Sequence, residues 1–224
     1  MAVKGVFFDA GGIFYRRPAS KHKYVAGMLE AQGFVVELTG QERLREQWLR
    51  AQATRGQISP DQYWDECLLM HGVVAAAQRR AMIEQINEYS NHIEPIAGGR
   101  EALAGLKQRG FILGIITDTM HPLERKMRWL GEVGVSEFID VMACSTALGM
   151  RKPNPAIYLN AVQQARLTPS ESAFVGHDTW ELEGARKAGM ATVAVHHDAT
   201  AQADYYARSL VDLLNVPIFL ASCA

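Results

Sequence analysis

Val3-Lys4-Gly5-Val6-Phe7-Phe8-Asp9-Ala10-Gly11-Gly12 is the stretch whose reading decides the fold. A short apolar run, partly β-branched, breaks off at an acid and two glycines. That is the pattern of a buried strand whose C-terminal end feeds a loop. Asp9 therefore sits where an open parallel sheet places its ligand crevice, outside the carboxyl ends of the strands.

Outward from this strand the character of the chain changes twice. From about Ser20 to Tyr89, apolar residues recur at three- and four-residue spacing: Leu44 and Trp48, then Tyr63, Cys67 and Met70, then Met82, Ile86 and Tyr89. This predicts several amphipathic helices and no strand, with Ser59-Pro60 a good helix start and Trp48, Trp64 and Trp129 in the core. After Pro95, helix and strand alternate. Helices are expected near Gly99–Arg109, Pro122–Leu130, Pro155–Ala165 and Trp180–Ala188, strands near Phe111–Thr117, Ser172–Val175 and Ala191–Val195, and Phe138–Ala143 reads as an apolar segment. Such alternation means an α/β fold, a doubly wound parallel sheet covered on both faces. The expected division is a core of residues 1–15 and 95–224 interrupted by a helical insert, 16–94.

Composition narrows the function classes. The chain has 224 residues, 48% hydrophobic and 21% charged, with a formal net charge of −1. Those figures suit an ordinary folded protein and supply no global attraction to nucleic acid or to an anionic membrane. Arg79-Arg80 is too small a basic patch to change that. Cys67, Cys144 and Cys223 form neither close-spaced metal pairs nor an even disulfide set, which suits a reducing compartment. An acid at Asp9 interrupts the N-terminal apolar run too early for a signal peptide, and no apolar run reaches a bilayer's thickness, so a cytoplasmic location is expected. The expected partner is a small-molecule substrate. A homodimer through the insert or the apolar tail Val216 to Leu220 is left open.

Polar residues recur at the other strand ends: Thr117-Asp118 after the second long strand, and Gly176-His177-Asp178 after Val175. With Asp9 and the turn Arg151-Lys152-Pro153 they can converge on one site. Taken in order, Phe7-Phe8-Asp9-Ala10-Gly11-Gly12, Ile116-Thr117-Asp118, Gly149-Met150-Arg151-Lys152-Pro153-Asn154-Pro155 and Phe174-Val175-Gly176-His177-Asp178 resemble the four motifs of the haloacid dehalogenase-like hydrolases. Each motif alone is weak, but four in order at strand ends, spread over the whole chain, are a specific signal. The resemblance implies a Rossmann-like core and makes the helical insert a cap.

What the resemblance implies for chemistry follows motif by motif. Asp9 attacks the substrate and forms a covalent intermediate, Lys152 supplies the charge that a modest carboxylate nucleophile needs, Thr117 donates to a substrate oxygen, and Asp178 is an acid of the fourth motif. In the phosphatase branch Mg²⁺ is held by Asp9, the carbonyl of Gly11 and Asp178, with Glu181 one helical turn on, oxygen ligands of the kind this hard cation prefers. Asp118, His177, Arg16 and Tyr158 are candidate substrate contacts, Arg16 or Arg17 for an anionic group. Asp178 also suits the N-cap of the following helix.

Two departures keep the reaction open. Family phosphatases carry a second acid two residues after the nucleophile, whereas Gly11 stands here, and losing a general acid costs on the order of 10² to 10⁴ in rate. The sequence Gly176-His177-Asp178-Thr179-Trp180-Glu181, together with Tyr158, resembles the metal-independent 2-haloacid dehalogenases instead, although Thr117-Asp118 replaces their Ser-Asn pair. The leading expectation is a Mg²⁺-dependent phosphatase of a small metabolite. The alternatives are a 2-haloacid dehalogenase-type hydrolase with the same nucleophile, and a non-catalytic metabolite-binding or regulatory protein.

Overall fold

The computed structural model describes residues 2–220; Cys223 and its neighbours lie outside them. The strand expected at the start is β1 (Gly5–Phe8), every residue of it buried. Alternation explains why: Val6 and Phe8 enter one hydrophobic cluster and Phe7 the other, so β1 is packed on both faces. The remaining sheet strands are β4 (Ile112–Thr117), β5 (Val141–Cys144), β6 (Ser172–Gly176), β7 (Ala191–Val195) and β8 (Tyr205–Ala207). They form a six-stranded sheet in the order β5-β4-β1-β6-β7-β8, with every neighbouring pair parallel. β1 lies between β4 and β6, with Phe8 in register with Ile115 and Val175. The order reverses around β1, so the loop carrying Asp9 opens at the switch point where ligands bind in such sheets.

The crossover helices cover both faces. They are α5 (Gly99–Gln108), α6 (Leu123–Glu132), α7 (Ser145–Leu148), α8 (Pro155–Gln164) and α9 (Thr179–Lys187). Leu103, Leu106, Trp129 and Leu130 join the cluster of Val6 and Phe8, while Ile157, Tyr158, Leu182 and Ala185 join that of Phe7. Large apolar side chains buried this completely contribute on the order of 1.5–3 kcal/mol each.

A two-residue strand, β2 (Tyr15–Arg16), pairs antiparallel with β3 (Glu94–Pro95), and between them run α1 (Lys21–Ala31), α2 (Gly40–Thr54), α3 (Pro60–Met70) and α4 (Ala76–Tyr89). These helices bury their own cluster, including Val25, Leu29, Leu49, Ala53, Tyr63, Trp64 and Ile86. Side chains of Thr39 and Ser59 cap α2 and α3 in reciprocal capping boxes. One expectation fails here. Leu44 and Trp48 are 68% and 60% exposed, because α2 turns Leu49 and Ala53 to the cluster instead. Among the described residues no helix is long and apolar enough to cross a membrane.

Candidate active site

The loops after β1, β4 and β6 and the segment before α8 meet at one buried group of charges. Asp9 continues beyond β1 with its amide nitrogen donating to the Val175 carbonyl at 3.0 Å, so the neighbouring strand fixes it. Lys152 is buried, and its ammonium donates to Asp9 Oδ1 at 2.6 Å and to Glu181 Oε1 at 2.5 Å. Burial opposes charge on Lys152, but Asp9, Glu181 and Asp118 outweigh it and hold the ammonium above its ordinary range. The backbone nitrogen of Lys152 also donates to Asp118 Oδ1 at 3.1 Å. Asp118 itself is shifted upward by burial, with Lys152 pulling the other way.

Glu181 behaves differently. It is buried in the first turn of α9. Burial and then the nearby charge of Asp9 push its carboxyl up, to about 8, against the pull of Lys152. Its Oε2 is buried with no hydrogen-bond partner. Buried unpaired oxygens are costly and call for a ligand or a proton. Thr117 Oγ1, buried at the end of β4, is orphaned in the same way, as is Nδ1 of His177.

Gly12 and Gly184 make the arrangement possible. Gly12 has φ +80°, and a Cβ there would stand 2.9 Å from the His177 ring, so a glycine lets the nucleophile loop lie against the fourth motif. At Gly184 a Cβ would come within 2.7 Å of the Tyr158 hydroxyl and 2.9 Å of Pro153, so α9 approaches the segment that carries Lys152 only because no side chain intervenes. Gly11 is the opposite case: a Cβ there meets nothing within 4 Å. Space for a second acid exists, and the acid does not.

These groups open into a cavity of about 420 Å³ lined by Asp9, Gly11, Asp118, His177, Asp178 and Glu181 on one part, and by Tyr15, Arg17, Lys21, His121, Lys126 and Trp129 on another. Trp180 also lines it, 41% exposed, with its ring 5.8 Å from the Lys152 ammonium. Asp9, His177 and Glu181 bring ligand atoms within 4.8 Å of one another. Asp178 occupies the N-cap position of α9 but its side chain makes no capping bond; it lies 3.7 Å from the His177 ring, partly exposed.

Two sequence candidates are placed elsewhere. Arg16 projects to solvent, its side chain 71% exposed and 3.4 Å from Glu94, because neighbours on a strand face opposite ways and Tyr15 takes the inward side, with Arg17 just beyond the strand lining the cavity. Tyr158 is buried beneath the site, where its hydroxyl donates to the Glu181 carbonyl at 2.8 Å and holds α9 rather than facing the cavity. Sequence reasoning missed Tyr15, Lys21 and Lys126. A signal for Lys126 was present, since it lies three and four residues before Trp129 and Leu130 and so shares the buried face of α6.

A family model described as haloacid dehalogenase-like hydrolase matches residues 54–195. A glyceraldehyde 3-phosphate phosphatase of Methanopyrus kandleri is 26% identical over 204 residues, covering 86% of this chain and 84% of that protein. An (S)-2-haloacid dehalogenase 2 of Pseudomonas sp. (strain CBS-3) is 26% identical over 151 residues, covering 66% and 64%. Other phosphatase-named relatives are matched over 51% to 60% of their own length. Among solved structures, a predicted phosphoglycolate phosphatase from Haemophilus somnus 129pt superposes with a TM-score of 0.69 at 17% identity, covering 95% of this chain and 97% of that one.

Proposed function

Because the chain belongs to the haloacid dehalogenase-like hydrolases, we propose that it hydrolyses a phosphoric monoester of a small metabolite, with Asp9 as nucleophile. The observation that carries this reading is the buried Asp9–Lys152–Glu181 group at the switch point of the sheet, opening into a cavity that also presents Arg17, Lys21 and Lys126. In the first step an Asp9 carboxylate oxygen forms a bond to phosphorus as the ester P–O bond breaks, and the leaving oxygen takes a proton from solvent. Water then attacks phosphorus, releasing phosphate and restoring the carboxylate. Lys152 holds the Asp9 carboxylate in place through its hydrogen bond, and it offsets charge that gathers on the phosphoryl oxygens. Thr117, with its free hydroxyl at the end of β4, is suited to donate to one of those oxygens.

Mg²⁺ fits the donor set in this proposal. The Asp9 carboxylate, the Gly11 carbonyl and the unpartnered Oε2 of Glu181 offer the hard oxygens it prefers, with Asp178 at the rim and His177 as a softer neighbour. When bound, it would supply charge neutralisation at the phosphate. Missing an acid at Gly11, the enzyme favours esters whose alcohols leave readily.

A dehalogenase-type reading is favoured by one observation. The Lys152 ammonium already bridges Asp9 and a Glu181 whose carboxyl, pushed up to about 8, holds a proton near neutral pH, so one cation faces one anion without a metal, and halide leaves without a proton. The deciding experiment measures phosphate release from an aryl phosphate with and without Mg²⁺, for the wild type and Asp9→Asn. Metal-dependent release lost in Asp9→Asn supports the phosphatase. Equal background in both proteins, with halide released from 2-chloropropionate by the wild type alone, overturns it.

A further inference from the structure

Arg17, Lys21 and Lys126 line the cavity from just after β2, the first turn of α1 and the middle of α6. Each is satisfied by a neutral group. The Arg17 guanidinium donates to the Ser90 carbonyl at 2.6 and 3.1 Å and lies 4.7 Å from the Trp129 ring. Lys126 donates to the Tyr15 hydroxyl at 2.6 Å, and Lys21 meets His121 Nε2 at 3.1 Å. Among the described residues, none of these three cations has a carboxylate within ion-pair distance, although elsewhere the chain pairs its charges repeatedly.

This crowding is unfavourable by itself. Lys126 and His121 are buried, and burial followed by repulsion from Arg17, Lys126 and Arg125 drives Lys21 down to about 7. His121 is pushed down to about 2 by burial and then by Lys21, Arg125, Arg17 and Lys126, so it faces them neutral. Buried charges in folded proteins are normally paired. Like charges gathered without a counter-charge in a cavity raise the local concentration of anions and stabilise one that enters. Lys152, meanwhile, is already engaged by Asp9 and Glu181, so the second group of cations is not needed to balance the nucleophile.

We propose that Arg17, Lys21 and Lys126 form a subsite for a second anionic group on the substrate, a carboxylate or a phosphate, carried a short carbon chain from the group that Asp9 attacks. This rests on the phosphatase reading for the reacting end. A cavity of about 420 Å³ lies toward the small end of ligand pockets, which suits a compact bis-anionic metabolite. Arg17 offers a planar fork that suits either anion, and the two lysines offer point charges.

The test compares three phosphate esters of one chain length: propyl phosphate, 3-(phosphonooxy)propionate and propane-1,3-diol bisphosphate. The expected result is a kcat/KM for one or both bis-anionic esters at least tenfold above that for propyl phosphate, and the better of the two identifies the anion. Lys126→Met, and separately Lys21→Met, should bring that ratio down toward one. A wild-type ratio near one while propyl phosphate is still hydrolysed overturns the subsite and leaves the phosphatase standing, as does a ratio that both variants preserve. If no ester releases phosphate, the phosphatase reading fails and calorimetry with the inert probe 3-phosphonopropionate decides the subsite. Binding weakened at least tenfold by either folded variant supports it, and binding that is absent or unaffected by both overturns it.

Discussion

Lys152→Met keeps most of the volume of a fully buried side chain and deletes its charge. The ammonium lies 2.6 Å from Asp9 and 2.5 Å from Glu181, so the variant strands two carboxylates in a dry site. Removing one partner of a buried ion pair costs about 3–5 kcal/mol. Glu181, pushed up to about 8, can relieve one side by holding a proton near neutral pH. Asp9 then carries the uncompensated charge, and the loss at pH 6 should fall near the low end, about 3 kcal/mol. At about 2–4 °C per kcal/mol for a chain of this size, the melting temperature should drop on the order of 10 °C. Adding Asp9→Asn removes the stranded charge and should recover about 2 kcal/mol or more of the loss. Urea unfolding of the wild type, both single variants and the double variant measures the coupling directly. A loss below about 1 kcal/mol for Lys152→Met, or strict additivity in the double variant, would refute the argument that this ion pair organises the site.

Other outcomes follow from the same geometry. Glu181 has a folded value near 8 against an ordinary 4.5, so the native state holds the extra proton between them. Its stabilising contribution is complete below pH 4.5 and lost as pH rises through 8, and Glu181→Gln should flatten that slope in urea midpoints measured from pH 4.5 to 9. Gly184→Ala puts a methyl 2.7 Å from the Tyr158 hydroxyl and against Pro153, so overpacking of about 1–3 kcal/mol should appear as a lower melting temperature, with phosphate release falling as Lys152 shifts. Gly11→Asp meets no steric barrier; supplying an acid where the family's phosphatases carry one should raise turnover of an alkyl phosphate by about 10²-fold relative to an aryl phosphate, and an unchanged ratio between the two would count against it.

The parts of the fold that were legible in the sequence are those whose signal is local. Runs such as Val3 to Phe8 and Ala191 to Val195, apolar but for Lys4 and Thr192, end at polar residues because a strand buried on both faces is largely apolar and must stop somewhere polar. Asp9, Asp118, His177, Asp178 and Glu181 line the cavity because they follow such runs. What local pattern cannot carry is which side a residue faces after a turn. Arg16 and Arg17 are indistinguishable in sequence, yet the structure turns Arg16 to solvent in β2 and Arg17, just beyond it, into the cavity. Trp48 and Leu44 keep helical spacing yet lie on the wet side of α2, because the packing partner of that helix is set by tertiary structure. Lysines read as solvated by default, which hid Lys126. Strands of two or three residues, β2, β3 and β8, are too short to show any period.

The contact between Lys152 and Asp9 joins positions 143 apart, and that with Glu181 joins positions 29 apart. Both sheet neighbours of β1, β4 and β6, come from beyond the four helices that interrupt the chain. Closing so long a loop is an entropic cost that no contact repays until the ends have met. β1 therefore cannot seat between both of its neighbours until β6, ending at Gly176, is in place. Helices form early and cheaply under these conditions, whereas the nucleophile gains its counter-ion only when distant halves of the sheet dock. Return of far-ultraviolet ellipticity should accordingly precede return of hydrolytic activity when the protein refolds from urea.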